Sequence, residues 1–322
     1  MKVVLKALGE LLDNSVLEAA AGPAGPGEVL VAIEAATINP VDSMLASGNY
    51  GYQVQVPFDL GTEGIGWVTQ VGEAVDPALH GRRVLILPNY EQGTWADQVV
   101  VKAANVVPIP DGGDPLQLAM VGTNPLTAHL ALTKFVDLKP GDWIGQNLGN
   151  SAVGQYVTAL AKHAGLKILS VVRRPEAAEG LESDVVLVDG DDLSGRIRSA
   201  LGTDRFELVL DGAGDSTVGA LAQWAAFGGT VVSYSSVTGL APAVGLGDHI
   251  YQQLQLRGLW IPNWLEQAPR SEIEETYGEL AQLTVDGVLR ARVAATYPVA
   301  EFAKAVQHSR QPDRSGKVLL RP

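Results

Sequence analysis

One turn constrains this chain more than any other stretch. Gln146-Asn147-Leu148-Gly149-Asn150-Ser151-Ala152-Val153-Gly154-Gln155 lies between a short strand-like entry, Trp143 to Asn147, and a helix-like run, Ala152 to Ala164, with Gly165 as its C-cap. Leu166 to Val172 reads as the next strand and closes on Arg173-Arg174, roughly 20 residues beyond the turn. The alternation continues. Strands are expected at 185–189, 206–211, 229–234 and 253–260, and helices at 191–201 and 218–226. Strands alternating with helices of about a dozen residues predict a doubly wound parallel sheet.

In such a sheet a strand ends, the backbone turns tightly, and a helix begins with free N–H groups facing a pyrophosphate. Gly149 and Gly154 take the first and third glycine positions of the G-x-G-x-x-G pattern, and Ser151 takes the middle one. Serine leaves less room for a phosphate, but its hydroxyl can donate to one. Asn150, Ala152 and Val153 complete the cradle. The bland alternative is a structural turn between strand and helix. An acidic residue at the end of the second strand would hold ribose hydroxyls. Here Arg173 and Arg174 stand in that place, and guanidinium groups suit a 2′-phosphate. The expected cofactor is therefore NADPH rather than NADH. The competing reading leaves an arginine, Arg174 before Arg173, as a solvated surface charge.

Composition removes other classes. The net charge is -13 and no basic run exceeds two residues, so a nucleic-acid partner is not expected. With no cysteine there are no disulfides, thiolate nucleophiles or cysteine-ligated metals. The five histidines are scattered and form no short ligand motif, and no metal site is expected. No apolar run reaches the roughly 18 residues that cross a bilayer. The N-terminal Met1-Lys2-Val3-Val4-Leu5-Lys6 runs straight into strand-like sequence, with neither a signal nor a transit pattern. A cytoplasmic location is expected.

A length of 322 residues suits two domains. Before residue 118 the chain is mostly strand and turn, with strands expected at 28–36, 64–72, 83–87 and 93–101 between glycines and prolines. That pattern predicts a barrel-like or sandwich-like unit. Two helices broken at Pro125 follow over 116–132, and a small-residue loop spans 19–27. After a helix over 270–286, short strands near 290–297 and 316–320 flank a helix at 299–309. This tail is read as returning to the first domain. The expected organisation is a two-domain α/β chain, with residues 1–122 plus 286–322 as one domain and 123–285 inserted as the dinucleotide-binding one.

The motifs Ile38-Asn39-Pro40-Val41-Asp42, Gly48-Asn49-Tyr50-Gly51 and Gly61-Thr62-Glu63-Gly64 occur in that order, followed by the Gln146–Gln155 turn, Ser170-Val171-Val172-Arg173, and Leu256-Arg257-Gly258-Leu259-Trp260 with Trp264. Over essentially its whole length the chain resembles the medium-chain dehydrogenase/reductase superfamily. Its nearest likeness is to the zinc-independent 2-enoyl thioester reductases, with quinone oxidoreductases next. The resemblance implies a GroES-like β-rich catalytic domain with an inserted Rossmann domain. Zinc members of the superfamily carry a cysteine where Asn39 stands and a histidine where Thr62 stands. Without those ligands, an already activated carbon–carbon double bond is the better substrate.

What the resemblance implies can be stated residue by residue. Tyr50 matches a tyrosine facing the nicotinamide. Hydride would pass to the β-carbon of a trans-2-enoyl thioester (acyl-CoA or acyl-ACP), and Tyr50 would supply or position the proton for the α-carbon. A phenol titrating near 10 is protonated at neutral pH. Packing in a mobile loop is the alternative, and Tyr52 competes for the role. Thr127 matches a position beside the nicotinamide, but could equally bond its own helix. Asn39 is a candidate for cofactor or substrate contact, against a simple turn asparagine before Pro40. Trp260 and Trp264 are candidates for the acyl pocket, with core packing as the alternative for Trp260. Lys317 matches a cofactor-proximal position, against a surface lysine on a closing strand. The expected assembly is a homodimer joined along the sheet edge at 253–260. The alternative functions are an NADPH quinone oxidoreductase and an NADPH-binding protein without catalysis.

Overall fold

The computed structural model describes residues 1–322 except Ala21, Pro312, Asp313 and Ser315. Ala21 belongs to the small-residue loop noted above, and at that position the expectation lies outside the described residues. The chain divides into two compact units, Met1–Thr123 with Pro262–Pro322, and Asn124–Ile261.

The strands, in chain order, are β1 (Lys2–Leu5), β2 (Ser15–Glu18), β3 (Glu28–Thr37), β4 (Phe58–Asp59), β5 (Gly64–Val71), β6 (Arg83–Ile86), β7 (Gln98–Lys102), β8 (Val106–Pro108), β9 (Trp143–Gln146), β10 (Lys167–Val172), β11 (Val185–Val188), β12 (Phe206–Asp211), β13 (Ala225–Ser233), β14 (Gln255–Gly258), β15 (Val293–Pro298) and β16 (Lys317–Arg321). Among the described residues the first unit carries a small sheet ordered β2-β1-β4. It also carries a larger one ordered β15-β16-β3-β5-β6-β8, with β7 paired to β3 as well. Strand β3 serves three neighbours, and two register shifts against β5 let it bend between them. The core here is built on Val3, Leu5, Leu45, Trp95 and Val318.

The tail does return to this unit, because β16 pairs antiparallel with β3 through Leu319–Thr37 and Leu320–Ala36. The return comes earlier than expected, at 262 rather than 286. The helix Arg270–Val285 belongs to the first unit. The Arg270 guanidinium donates to the carbonyls of Ala104 and Val106, and Tyr277 Oη donates to the Gly122 carbonyl at 3.0 Å.

The second unit is a parallel sheet ordered β11-β10-β9-β12-β13-β14. Numbered from its own first strand this is 3-2-1-4-5-6, the doubly wound order, and the direction of winding reverses between β9 and β12. Central strands covered on both faces become nearly continuous apolar runs, which is why β10 and β12 are legible in sequence. Phe206, Val209, Val218, Leu221 and Ile197 pack one face.

Two elements differ from expectation. The helix expected over 218–226 is Thr217–Ala222. Ala225 leaves it to pair with Phe206, whose N–H donates to the Trp224 carbonyl, so sheet pairing overrides the helical preference of an alanine-rich run. The strand expected over 93–101 covers only Gln98–Lys102. Upstream of it Trp95 is fully buried, its N–H bonded to the Leu60 carbonyl and its indole N–H to the Thr37 carbonyl at 2.8 Å.

Candidate active site

The functional side chains fall into one group per unit. In the second unit the turn after β9 lies at the point where the winding reverses, the place where doubly wound sheets take ligands. Its left-handed residue is Leu148 (φ 51°), not a glycine. Gly149 and Gly154 serve close packing instead. A Cβ on Gly149 would stand 2.6 Å from Ser170 Cβ, and one on Gly154 would stand 2.5 Å from the Leu148 carbonyl oxygen. Ser151 is the N-cap of the helix Ala152–His163, accepting from the Gly154 N–H at 3.0 Å. The N–H groups of Ala152 and Val153 open the helix in the orientation that favours an anion. Asn150 is exposed beside them.

Gln146 and Asn147 brace this turn from below. Gln146 Nε2 donates to Ser170 Oγ, the Gly154 carbonyl and Thr158 Oγ1. Asn147 ties the ends of β9 and β12 together. Its Nδ2 donates to Asp211 Oδ1 at 2.7 Å, and its Oδ1 accepts from the N–H groups of Gly212 and Ala213. Asp211 and Tyr234 were not anticipated from sequence. Tyr234 lies over Gly212, and its buried hydroxyl has no hydrogen bond of ordinary geometry. Burial pushes that phenol above the usual tyrosine range, while the nearby Ser151 hydroxyl pulls it back. Such an orphaned polar atom beside the turn fits a site built for a polar ligand. At the end of β10, Arg173 and Arg174 are both exposed, and neither guanidinium bonds to another described residue. The turn, the helix N-terminus and two available arginines suit a phosphorylated dinucleotide. Thr127 is buried in the helix Asn124–Thr133 of the same unit.

In the first unit a polar cluster is buried around Asn39. Asn39 Nδ2 donates to Glu63 Oε1 at 2.7 Å and to Thr37 Oγ1 at 2.9 Å, and Thr37 Oγ1 donates to Glu63 Oε1 at 2.7 Å. Lys317 Nζ donates to Asn39 Oδ1. Asn39 was expected to reach a ligand, but both ends of its amide are engaged by these three partners. Its backbone N–H is taken as well, by Asp42 Oδ2 at 2.7 Å, at the start of the helix Pro40–Ser47. Lys317 is a buried member of the cluster rather than a surface lysine. Desolvation raises the Glu63 carboxyl and lowers the Lys317 ammonium, and each partly offsets the other's shift. Burial also pushes Asp42 up to about 7, against the opposing pull of the Asn39 N–H and the nearby Thr62 hydroxyl. Among the described residues no three His, Cys, Asp or Glu side chains converge as a metal site.

Tyr50 follows the helix Pro40–Ser47 and is half-buried, with Oη 3.2 Å from Tyr90 Oη. Tyr90 also meets Tyr50 and Tyr52 edge to face, at centroid distances of 5.8 and 5.4 Å. A cavity of about 630 Å³ opens beyond Tyr52 and Tyr90. Its wall carries Lys2, Asp59, Glu91 and Lys102, and neither Tyr50 nor a tryptophan lines it, so it is not the acyl pocket expected from sequence. Trp264 is directed onto the helix Arg270–Val285, donating to Glu272 Oε1 and packing against Tyr277. Trp260 follows β14 in the second unit and is 41% exposed. Trp260 and Trp264, both candidates for the acyl pocket, belong to different units.

Residues 25–111 match the alcohol dehydrogenase GroES-like domain, and residues 152–282 match the domain described as zinc-binding dehydrogenase. The chain is 32% identical over 319 residues to a mitochondrial enoyl-[acyl-carrier-protein] reductase of Rattus norvegicus, covering 96% of this chain and 84% of the relative. A mycobacterial quinone oxidoreductase structure superposes with a TM-score of 0.87 at 26% identity, covering 100% of this chain and 99% of the other. A mycobacterial protein solved in complex with NADPH gives a TM-score of 0.84 at 26% identity, with the same coverage. With both of its domains matched in order and a relative this similar along nearly its full length, the chain belongs to the medium-chain dehydrogenase/reductase superfamily of oxidoreductases.

Proposed function

We propose that this protein is an NADPH-dependent reductase of the 2,3 double bond of a trans-2-enoyl thioester, carried on CoA or on an acyl-carrier protein. The observation that carries this reading is Tyr50, a phenol whose hydroxyl is held by a second, buried tyrosine. The rat relative, named an enoyl-[acyl-carrier-protein] reductase, supports the same substrate class. NADPH, when bound, supplies the hydride for the β-carbon. The helix N-terminus at Ala152 and Val153 holds its pyrophosphate, and Arg173 with Arg174 takes the 2′-phosphate that separates it from NADH. Tyr50 gives its proton to the α-carbon. Thr127 lies on the nicotinamide side, and Trp260 borders the acyl chain.

A second reading, an NADPH quinone oxidoreductase, has its own support in the mycobacterial quinone oxidoreductase. One assay separates the two. The purified protein is expected to oxidise NADPH rapidly with crotonyl-CoA, slowly with NADH in its place, and not with naphthoquinone. The reverse substrate preference replaces the first reading by the second. NADPH binding with no turnover on either would leave a binding protein.

The assembly we propose is a homodimer joined at the second unit. All four residues of the edge strand β14 are exposed, and Phe227, Leu246 and Tyr251 of the same unit are 78%, 72% and 81% exposed. An open strand edge with so much apolar surface favours pairing with a second copy. Sedimentation equilibrium should return twice the chain mass, and a monomer at micromolar concentration rejects the proposal. Among the described residues no helix is long and apolar enough to cross a membrane.

A further inference from the structure

Tyr90 is not among the residues the sequence points to, yet its surroundings are unusually defined. Its backbone is left-handed (φ 62°), a conformation that costs a non-glycine residue free energy and persists only where neighbouring contacts impose it. Those contacts are visible. Gln92 Nε2 donates to the Leu87 carbonyl at 3.1 Å and to Asn89 Oδ1 at 3.0 Å. Asn105 Nδ2 donates to Gln92 Oε1 and Glu91 Oε2, and Glu91 pairs with Lys102. Gln92 and Asn105 are both buried. This bracing turns the Tyr90 side chain inward, where it is 6% exposed and meets Tyr50 through the hydroxyl and the ring edge.

We infer that Tyr90 is a positioning residue for Tyr50: its buried hydroxyl donates to Tyr50 Oη, fixes the direction of the Tyr50 O–H, and stabilises the phenolate formed when that proton leaves. The inference rests on the reading of Tyr50 as proton donor. The electron and proton count closes around that step. The hydride brings an electron pair to the β-carbon, and the π pair of the double bond moves toward the thioester carbonyl as an enolate. That pair then takes the Tyr50 proton at the α-carbon. The Tyr50 O–H bond breaks, its electrons stay on oxygen, and water later restores the proton. A hydrogen bond from Tyr90 is stronger to the phenolate than to the neutral phenol, so it acts where charge develops. Burial, with Tyr50, Asp42 and Glu63 nearby, keeps the Tyr90 phenol protonated far above the usual range, so once Tyr50 has lost its proton Tyr90 is the donor of the pair.

The test compares Tyr90→Phe, Tyr50→Phe and the double variant, with crotonyl-CoA and NADPH. Tyr90→Phe keeps the ring and should melt near the parent. Its kcat is expected to fall about tenfold to a hundredfold, as for a hydrogen bond to a charged group, with KM and NADPH binding unchanged. The basic limb of its kcat–pH profile should move to higher pH, because the phenolate has lost its donor. In the Tyr50→Phe background, removing the Tyr90 hydroxyl should have little further effect. Unchanged kcat and pH profile in Tyr90→Phe overturn the inference. So does an equal fractional loss in both backgrounds, which would mark a packing effect. Full activity in Tyr50→Phe removes the donor itself, and that failure is recognisable from the single variant alone. Should Tyr90→Phe melt early, ultraviolet titration of phenolate in the folded proteins decides the matter without turnover. An unchanged Tyr50 ionisation there overturns the inference as well.

Discussion

Replacing Tyr50 with Phe is expected to lower kcat for a trans-2-enoyl thioester by about a hundredfold to ten-thousandfold, the usual contribution of a positioned general acid. NADPH affinity should be retained. The two outcomes separate because the residues lie in different units. The dinucleotide turn, the helix from Ala152 and the arginines at 173 and 174 belong to Asn124–Ile261, whereas Tyr50 belongs to Met1–Thr123. The substitution removes one hydroxyl and leaves the ring edge that packs on Tyr90. Packing loss is therefore small, and a fall in rate reports chemistry. Steady-state kinetics with fluorescence titration of NADPH checks both halves. A rate within twofold of the parent removes Tyr50 from the mechanism. A rate loss matched by lost NADPH binding would mean that the variant disturbs more than one hydroxyl.

Substituting Asp42 with Asn should change how stability depends on pH. Burial raises the Asp42 carboxyl to about 7, while the Asn39 N–H and the Lys317 charge pull the other way. An aspartate in the unfolded chain titrates near 3.9. Between roughly pH 4 and 7 the folded chain therefore keeps a proton that the unfolded chain has released. That contribution to stability is fully present below pH 4, is lost as pH rises through 7, and is constant above. If the whole shift is realised, the loss is on the order of 4 kcal/mol. Asparagine can still accept the Asn39 N–H, bonded at 2.7 Å in the parent, and carries no charge at any pH. The variant should thus gain stability relative to the parent between pH 5 and pH 8. Thermal unfolding at those two values measures the difference. An offset equal at both would mean that Asp42 keeps its charge in the folded chain.

The same residues show how far a sequence can be read. The strands of the second unit are legible because helices cover both faces of a parallel sheet, so β10 and β12 become largely apolar runs. The Ser151 N-cap and the arginines closing β10 are legible because their positions depend on a local order of strand, turn and helix. The helix Arg270–Val285 is also legible as a helix, but its own sequence does not say which unit it joins. That is decided by Arg270 reaching the carbonyls of Ala104 and Val106. The run after Thr217 reads as one long helix until Phe206 takes the Trp224 carbonyl and draws Ala225 into the sheet.

In the first unit most of the chemistry is set by distance in space. Lys317 in the sequence is a lysine on a closing strand, and nothing beside it indicates burial. Pairing of β16 with β3 carries it to Asn39, 278 positions away, where water is excluded and the Glu63 carboxyl partly offsets the cost of burying its charge. Tyr90 is likewise one tyrosine in a polar loop until Gln92 and Asn105 lock that loop and turn its ring toward Tyr50. The sequence by itself indicated two domains and the dinucleotide turn, which follow from periodicity and from neighbours along the chain, whereas Tyr50 was singled out through the family resemblance. Only the tertiary structure decided which side chains lose water together, and burial is what shifts Asp42, engages Asn39 and keeps Tyr90 protonated.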